Sequence, residues 1–465
     1  MKADKKKTIF LFIACTVFFL SFNLHLGSLK NSSHAYLTSD APKMYSIQWN
    51  KTYIFVRDIF TPKSVVQTMD GNYLVMGTRH PTLAEGCCPI PQSDIFLMKT
   101  QPDGSIEWFK FHGEDNIAMD IGYFMVETDD GYIIAGRTNG PPAIGLDFMI
   151  LKIDFEGRLK WRNFYNKSTE GEVRSFIKTS DNGFALLGVT SGNETKISSN
   201  EAMWLIKTDS EGEIEWDQTY DQNFTDFTSM IQIEDGGFII TSYDGELLKI
   251  TDTGALEWEK DFPGNLFSII DSKDGLTLFG SRFDQPWLVK TDYLGNIEWN
   301  KTFAFNITGD FIFSQERSQI LNLIQASDGG FLLTGSSVDV PPDGIITDSK
   351  LWIVKTNSTG ELEWSHEFDV ETFASIRGIM QDSEGDVVLV GEMKRFIWLV
   401  KVDLHPFAII ESSITNNPDL TISVKINDTS SKTTEVDENT AFPSIILVSF
   451  VVGTVVIFRR RRSRF

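Results

Sequence analysis

The stretch LWIVKTNSTGELEW, residues 351–364, recurs along the chain as MWLIKTDSEGEIEW (203–216) and PWLVKTDYLGNIEW (286–299). An apolar run ends in Lys, a polar turn carries Gly, and a second strand opens on an acidic or polar residue and Trp. This is a tight hairpin whose Gly takes the φ > 0 position of a four-residue turn. Six copies keep fixed offsets: Lys99, Lys152, Lys207, Lys249, Lys290 and Lys355 are each followed by Gly at +5 and Trp at +9. The closing residues are Trp108, Trp161, Trp216, Trp258, Trp299 and Trp364, joined by Trp49 in IQWNKTY (47–53), which matches IEWNKTF (297–303). The other four Trp (Trp204, Trp287, Trp352 and Trp398) stand three residues before a recurring Lys.

A second hairpin precedes each of these, as in DGGFLLTG (328–335), DDGYIIAG (129–136) and DNGFALLG (181–188): a turn, then an aromatic, then Gly four residues later. Leu276/Gly280 and Val387/Gly391 keep the offset without the aromatic, and the fourth copy has Ser242 after Phe238 in place of Gly. Seven such hairpins and seven Lys give four short strands per repeat, apolar on both faces, which a radial array stacks face to face with few free edges. The seventh copy is defective, with Pro406 and Ile410 where the turn Gly and closing Trp belong, while an orphan outer strand stands at the N-terminus. Ring closure requires that pairing; an open solenoid would need capping repeats instead. The expected fold is all-β, a seven-bladed β-propeller over 45–411 closed by residues 45–54, with FAIIESSI (407–414) as the rival closing strand.

Both ends read as membrane-directed. MKADKKKTIFLFIACTVFFL opens a signal peptide or signal anchor over 1–35, with SSHA offering small residues for cleavage. AFPSIILVSFVVGTVVIF (441–458) is uncharged and followed at once by RRRRSRF, the pattern of a transmembrane helix with a cytoplasmic Arg-rich tail at 459–465. Residues 412–440 are rich in Ser, Thr, Asn and Asp and read as a stalk. The net charge is −22, and without the two basic termini 33 basic and 63 acidic residues remain, so nucleic acid is not an expected partner. Sequons at Asn31, Asn50, Asn166, Asn193, Asn223, Asn300, Asn306, Asn357 and Asn427 exceed the chance number and suit a glycosylated outer surface.

The repeat resembles the tryptophan-docking, PQQ-like (quinoprotein-type) propeller repeats found in surface proteins of archaea and environmental bacteria, and the tail resembles those read by sortase-like peptidases. The resemblance covers about 45–410 and implies the fold. Quinoprotein enzymes typically have eight blades and a turn one residue longer than Asp154–Gly157 or Asp209–Gly212, so no cofactor is expected here. Cys87 and Cys88 are adjacent and form a vicinal disulfide, a reduced pair or an intermolecular bridge. Some quinoprotein dehydrogenases place such a disulfide against their cofactor.

Antiparallel connectivity puts the Gly turns on one rim and the variable loops on the other. The long connections are 78–94, 137–147, 190–202, 336–350 and 303–320, near blades 1, 2, 3 and 6. Function is expected on that rim, because loops on a rigid scaffold carry recognition. Asp94, Asp147, Asp244 and Asp284 recur before the third strand, which suits loop ordering. The seven Lys read as strand-end residues with their ammonium in water. No metal spacing, nucleophile elbow or phosphate loop occurs. The expected role is a membrane-anchored surface propeller that binds a protein or glycan without catalysis; the alternatives are an extracytoplasmic hydrolase or quinone-type oxidoreductase, and a structural envelope protein.

Overall fold

The computed structural model describes residues 46–404 except 56–57, 82–92, 114–117, 141–142, 144, 167–170, 192–200, 221–225, 273, 284, 304–321, 339–348 and 371–373, together with 410–414, 422–426, 446–451 and 454–459. Strand β1 is Ser46–Tyr53. Blade 1 is β2–β5 (Asp58–Gln67, Tyr73–Pro81, Asp94–Thr100, Ile106–His112) and blade 2 is β6–β9 (Asp120–Thr128, Gly131–Thr138, Asp147–Ile153, Leu159–Tyr165). Blade 3 is β10–β13 (Gly171–Lys178, Phe184–Ser191, Glu201–Thr208, Ile214–Tyr220) and blade 4 is β14–β17 (Phe227–Gln232, Phe238–Ser242, Glu246–Ile250, Leu256–Asp261). Blade 5 is β18–β21 (Asn265–Asp271, Leu276–Arg282, Gln285–Thr291, Ile297–Thr302) and blade 6 is β22–β25 (Asn322–Gln325, Phe331–Val338, Ser349–Thr356, Leu362–Val370). Blade 7 is β26–β28 (Ala374–Gln381, Val387–Met393, Phe396–Asp403) plus β1.

Each blade is a four-stranded antiparallel sheet, and the innermost strands β2, β6, β10, β14, β18, β22 and β26 pack on one another in a closed ring. The fold is a seven-bladed β-propeller. The seventh sheet has the order β1-β28-β27-β26, so the N-terminal strand closes it, from Ser46 opposite Asp403 to Tyr53 opposite Ile397. FAIIESSI does not close the ring: β29 (Ile410–Ile414) pairs with β30 (Ile422–Ile426), a strand pair inside the segment expected to be a stalk.

Seven apolar clusters fill the seven blade interfaces, because strands apolar on both faces can bury themselves only between two other sheets. The interface of blades 7 and 1, for instance, joins Val388, Val390, Ile397 and Leu399 to Phe60, Val65, Tyr73 and Phe96.

The Gly four residues after the recurring Phe or Tyr, and after Leu276 and Val387, has a steric cause. Opposite it the inner strand bulges, at Pro62/Ser64, Gly122/Phe124, Val173/Ser175, Leu266/Ser268 and Ile376/Gly378. The bulge presses backbone onto the second strand, so a Cβ on Gly280 would lie 1.8 Å from the Asn265 carbonyl oxygen. Blade 4 bulges at Phe227/Ser229 opposite Ser242, so the rule has one tolerated exception.

Toward the C-terminus the structure differs from the expected helix over 441–458. Residues Ile446–Val451 (β31) and Thr454–Arg459 (β32) are antiparallel strands, in keeping with the β-branched Val, Ile and Thr that dominate there. Among the described residues, no helix is long and apolar enough to cross a membrane. The N-terminal segment over 1–35 lies outside the described residues.

Candidate functional site: the channel mouth

The two rims differ. On the Gly-turn rim, the recurring Lys are buried, none more than 8% exposed, and their ammonium groups are not in water as their strand-end position suggests. Each reaches the acidic residue before the first turn's glycine: Lys99 with Asp70 at 2.6 Å, Lys207 with Asp181 at 2.7 Å, Lys249 with Asp235 at 2.7 Å, Lys290 with Asp274 at 2.8 Å, Lys355 with Asp328 at 2.7 Å, Lys401 with Glu384 at 2.9 Å, and Lys152 with Asp130. These bonds hold the carboxyls of Asp130 and Asp274 below their ordinary range. Each Lys pairs with the second or third residue of strand two, close to that hairpin's turn, so its head reaches the turn.

The turns are also tied across blades. Gln67, Gln232 and Gln381 each accept the backbone N–H of a Ser in the preceding blade's turn, Ser383, Ser180 and Ser327, at 2.7, 2.8 and 2.7 Å. Their amides donate back to their own turns, to Gly71, Gly236 and Gly385. Farther out, each closing Trp lies on the next blade's turn Gly: Trp49 on Gly104, Trp108 on Gly157, Trp161 on Gly212, Trp216 on Gly254, Trp258 on Gly295 and Trp299 on Gly360. A Cβ on Gly360, whose φ is +75°, would sit 2.4 Å from Trp299. Trp364 packs instead against the apolar cluster between blades 6 and 7, as does Leu404 of the defective seventh copy. The rim is sealed by short turns locked to one another.

The opposite rim opens onto the channel, where the bulges turn polar and aromatic residues inward. Lys63, Tyr123, Arg174 and Arg377 are the extra residues of the bulges in blades 1, 2, 3 and 7. Glu172, Arg137 and Glu392 lie one residue from strand ends that lead to the loop rim. Lys63 interacts electrostatically with Arg377, Glu392, Glu172 and Arg137. Blades 1 and 3 flank blade 2, so Lys63 and Glu172 interact past the blade between them. Arg174 is paired with Glu172 at 3.1 Å and Arg377 faces Glu392 at 4.0 Å. Lys63 and Arg137 have no carboxylate within ion-pair distance among the described residues, and both lie over the Tyr123 ring, 5.9 and 5.8 Å from its centroid. Lys63 and Arg137 thus leave two positive charges without a carboxylate partner among the described residues, in a strongly acidic protein.

Burial, aided by Arg377, pushes the Lys63 ammonium down to about 8. Burial raises the Tyr123 phenol and the Glu392 carboxyl, the latter against the pull of Arg377 and Lys63. Burial and the Lys63 charge lower the His80 imidazole. The folded Lys63 value lies below its ordinary 10.5, so the folded chain releases this proton before the unfolded chain does. The cost of holding the charge is therefore full below pH 8 and is relieved as pH rises from about 8 to 10.5. Lys63→Met is expected to raise the melting temperature at pH 7, and the gain should shrink toward pH 10; an equal gain at both pH values would mean that charge is not the cause.

The structure places the sequence-expected residues unevenly. Cys87, Cys88, Asn31, Asn193, Asn223, Asn306 and Asn427 lie outside the described residues, as does Asp284. Asn50 and Asn300 are exposed, and their side-chain oxygens accept the indole N–H of Trp398 at 2.8 Å and Trp287 at 3.2 Å. Asn166 donates to Asp147, and Asn357 caps its turn by accepting from the Thr359 and Glu361 amides. Asp94 accepts from Arg79, its partner across β3 and β4, at 3.0 Å. Among the described residues one acidic group is close enough to hold a metal, Asp382, Glu384 and Asp386. The Lys401 ammonium already stands among them at 2.8, 2.9 and 3.1 Å.

The channel cluster was missed by sequence reasoning, although a signal exists. Lys63, Arg174, Thr228, Phe267 and Arg377 each precede Ser or Gly, at 13 or 14 residues before the strand-two Gly or Ser.

No protein-family model matches the chain, and no curated protein does either. Solved structures do match, among them a protein of unknown function from Bacteroides caccae, 12% identical, with a TM-score of 0.39 over 59% of this chain and 90% of its own. The class of this protein, a seven-bladed propeller, rests on its own seven sheets.

Proposed function

We propose that this chain is a cell-surface propeller, held in the membrane by its apolar C-terminal segment, that binds a protein or a glycan through its loop-rich rim without catalysing a reaction. The observation that carries the reading is the inequality of the rims. One is sealed by short interlocked turns. The other has connections over 82–93, 139–146, 192–200 and 339–348 in blades 1, 2, 3 and 6, against 243–245, 283–284 and 394–395 in blades 4, 5 and 7. Length concentrated on one side of a rigid ring suits recognition there. The repeats' likeness to quinoprotein-type repeats supports kinship of the scaffold, not a bound quinone.

Placement rests on the sequence. The uncharged stretch 441–458 precedes five Arg, and in lipid such a segment must satisfy its backbone internally, as a helix does. Glycans suit Asn50 and Asn300, whose side-chain nitrogens make no bond among the described residues.

The test uses the full chain on intact cells. Protease added outside should release propeller fragments, and endoglycosidase should increase gel mobility. Screening the solubilised protein on a glycan array and against envelope proteins should yield a ligand whose binding is lost when 82–92 and 339–348 are each shortened to a blade-5-type turn, with melting unchanged. Protection from external protease would sink the placement. Binding that survives both shortenings would sink the loop-rim reading.

A further inference from the structure

The loop rim surrounds a channel whose mouth carries more positive charge than the fold needs. Arg174 is deeply buried, its side chain 7% exposed, and although Glu172 takes one of its amino groups its Nε has no hydrogen-bond partner among the described residues. Among the same residues the Nε of Arg137 is likewise buried and without a partner. A buried donor left unmade keeps its desolvation cost with nothing to offset it, so two such donors beside an ammonium that has no carboxylate partner among the described residues are hard to explain as structure. All three belong to different blades and converge on one place, with the Tyr123 ring under two of them.

We propose that the channel mouth binds a compact oxyanion carrying about two negative charges, with Lys63, Arg137 and Arg174 as its cationic partners. The proposal rests on the loop rim being the binding face, and it gives that rim's ligand an anionic group to insert at the centre. Lys63 and Arg137, which have no carboxylate partner among the described residues, set the charge; the convergence of donors from blades 1, 2 and 3 sets the size. Arg377 and Glu392, on the adjoining blade 7, border the cluster beside Lys63, their side chains 10% and 11% exposed. With the ammonium near 8, protonation of Lys63 is coupled to the bound anion, so affinity falls as pH rises past that value. The shared chemistry fits a phosphate or sulfate ester and a pair of carboxylates, and the probes separate them.

Thermal melting of the full chain at pH 7 would be followed against sodium phosphate, sodium sulfate and sodium citrate, each with chloride at matched ionic strength. A saturable rise of a few degrees, complete within about 10 mM, is expected for at least one oxyanion, as for any ligand that binds only the folded state. Phosphate and sulfate stabilise proteins generally, so the decisive comparison is Lys63→Met, a variant expected to be folded and more stable. It should lose the saturable part and keep the general one, and the wild-type response should weaken between pH 7 and 9. A response to phosphate and sulfate alone identifies a tetrahedral ester; one to citrate alone identifies carboxylates. Equal responses in wild type and Lys63→Met, or none beyond chloride, would overturn the site. A macromolecular ligand that depends on the loops yet binds Lys63→Met unchanged would overturn this inference while leaving the loop-rim reading intact.

Discussion

Lys401→Met should lower the melting temperature by on the order of 10 °C, at about 2–4 °C per kcal/mol for a domain of this order. Lys401 is the most heavily engaged of the seven buried Lys, bonded to Asp382, Glu384 and Asp386. Asp382 and Asp386 are themselves buried, with side chains 0% and 6% exposed, and Asp382 also accepts from the Tyr73 hydroxyl at 2.8 Å. Removing the ammonium leaves two buried carboxylates facing each other, and breaking a buried pair from one side costs about 3–5 kcal/mol. Lys290→Met is the control, since its partner Asp274 is 77% exposed and keeps its water; that loss should be about 1 kcal/mol or less. The pH dependence follows from the carboxyls. In the wild type, burial opposes the Lys401 and Tyr73 bonds at Asp382, yet its carboxyl stays below the ordinary range. Its contribution is therefore present above about pH 4 and lost as pH falls through the lower folded value. In Lys401→Met both carboxyls shift upward, so that variant regains stability as it is acidified. The gap between the two proteins should close toward pH 4 in calorimetry; a gap constant from pH 7 to 4 would show that packing, not charge, is lost.

Removing residues 46–53 should abolish cooperative folding of the ring. Strand β1 supplies the outer edge of blade 7, and four of its contacts have no substitute. Trp49 lies on Gly104 of blade 1, the Tyr53 hydroxyl donates to the Gly104 carbonyl at 2.5 Å, Asn50 accepts from Trp398, and Gln48 donates to Asp386 at 2.7 Å. Without them β28 becomes a bare hydrophobic edge, the kind that pairs with other chains. The loss is roughly the whole stability of a domain, 5 kcal/mol or more. The expected result is a broad, low transition with early proteolysis in blade 7, partly restored by adding the peptide SIQWNKTY in trans. One sharp transition within a few degrees of wild type would mean that the inner strands alone hold the ring.

Much of this architecture was legible because a propeller writes every interface with the same residues. The Lys, Gly and Trp offsets recur since each blade must lay a Trp on the next blade's turn and send a Lys to its own, and the broken seventh copy announced its partner at the other end of the chain. The burial of those Lys was not legible. A Lys at a strand end looks solvated until the sheet brings an Asp of another hairpin to its head. The loop rim could be named from segment lengths, yet the residues at its centre could not.

Lys63 and Arg377 are more than three hundred positions apart, and each reads alone as an odd polar residue in an inner strand. They meet only because β1 returns to β28 and sets blade 7 beside blade 1, and they point inward only because a bulge turns one residue per inner strand out of the pleat. Local periodicity and fixed offsets, which need no knowledge of distant contacts, determined the blades, their number and the closing strand. Closure of the ring decided where the charges converge, because the field at the channel mouth belongs to four blades together and to none of them separately.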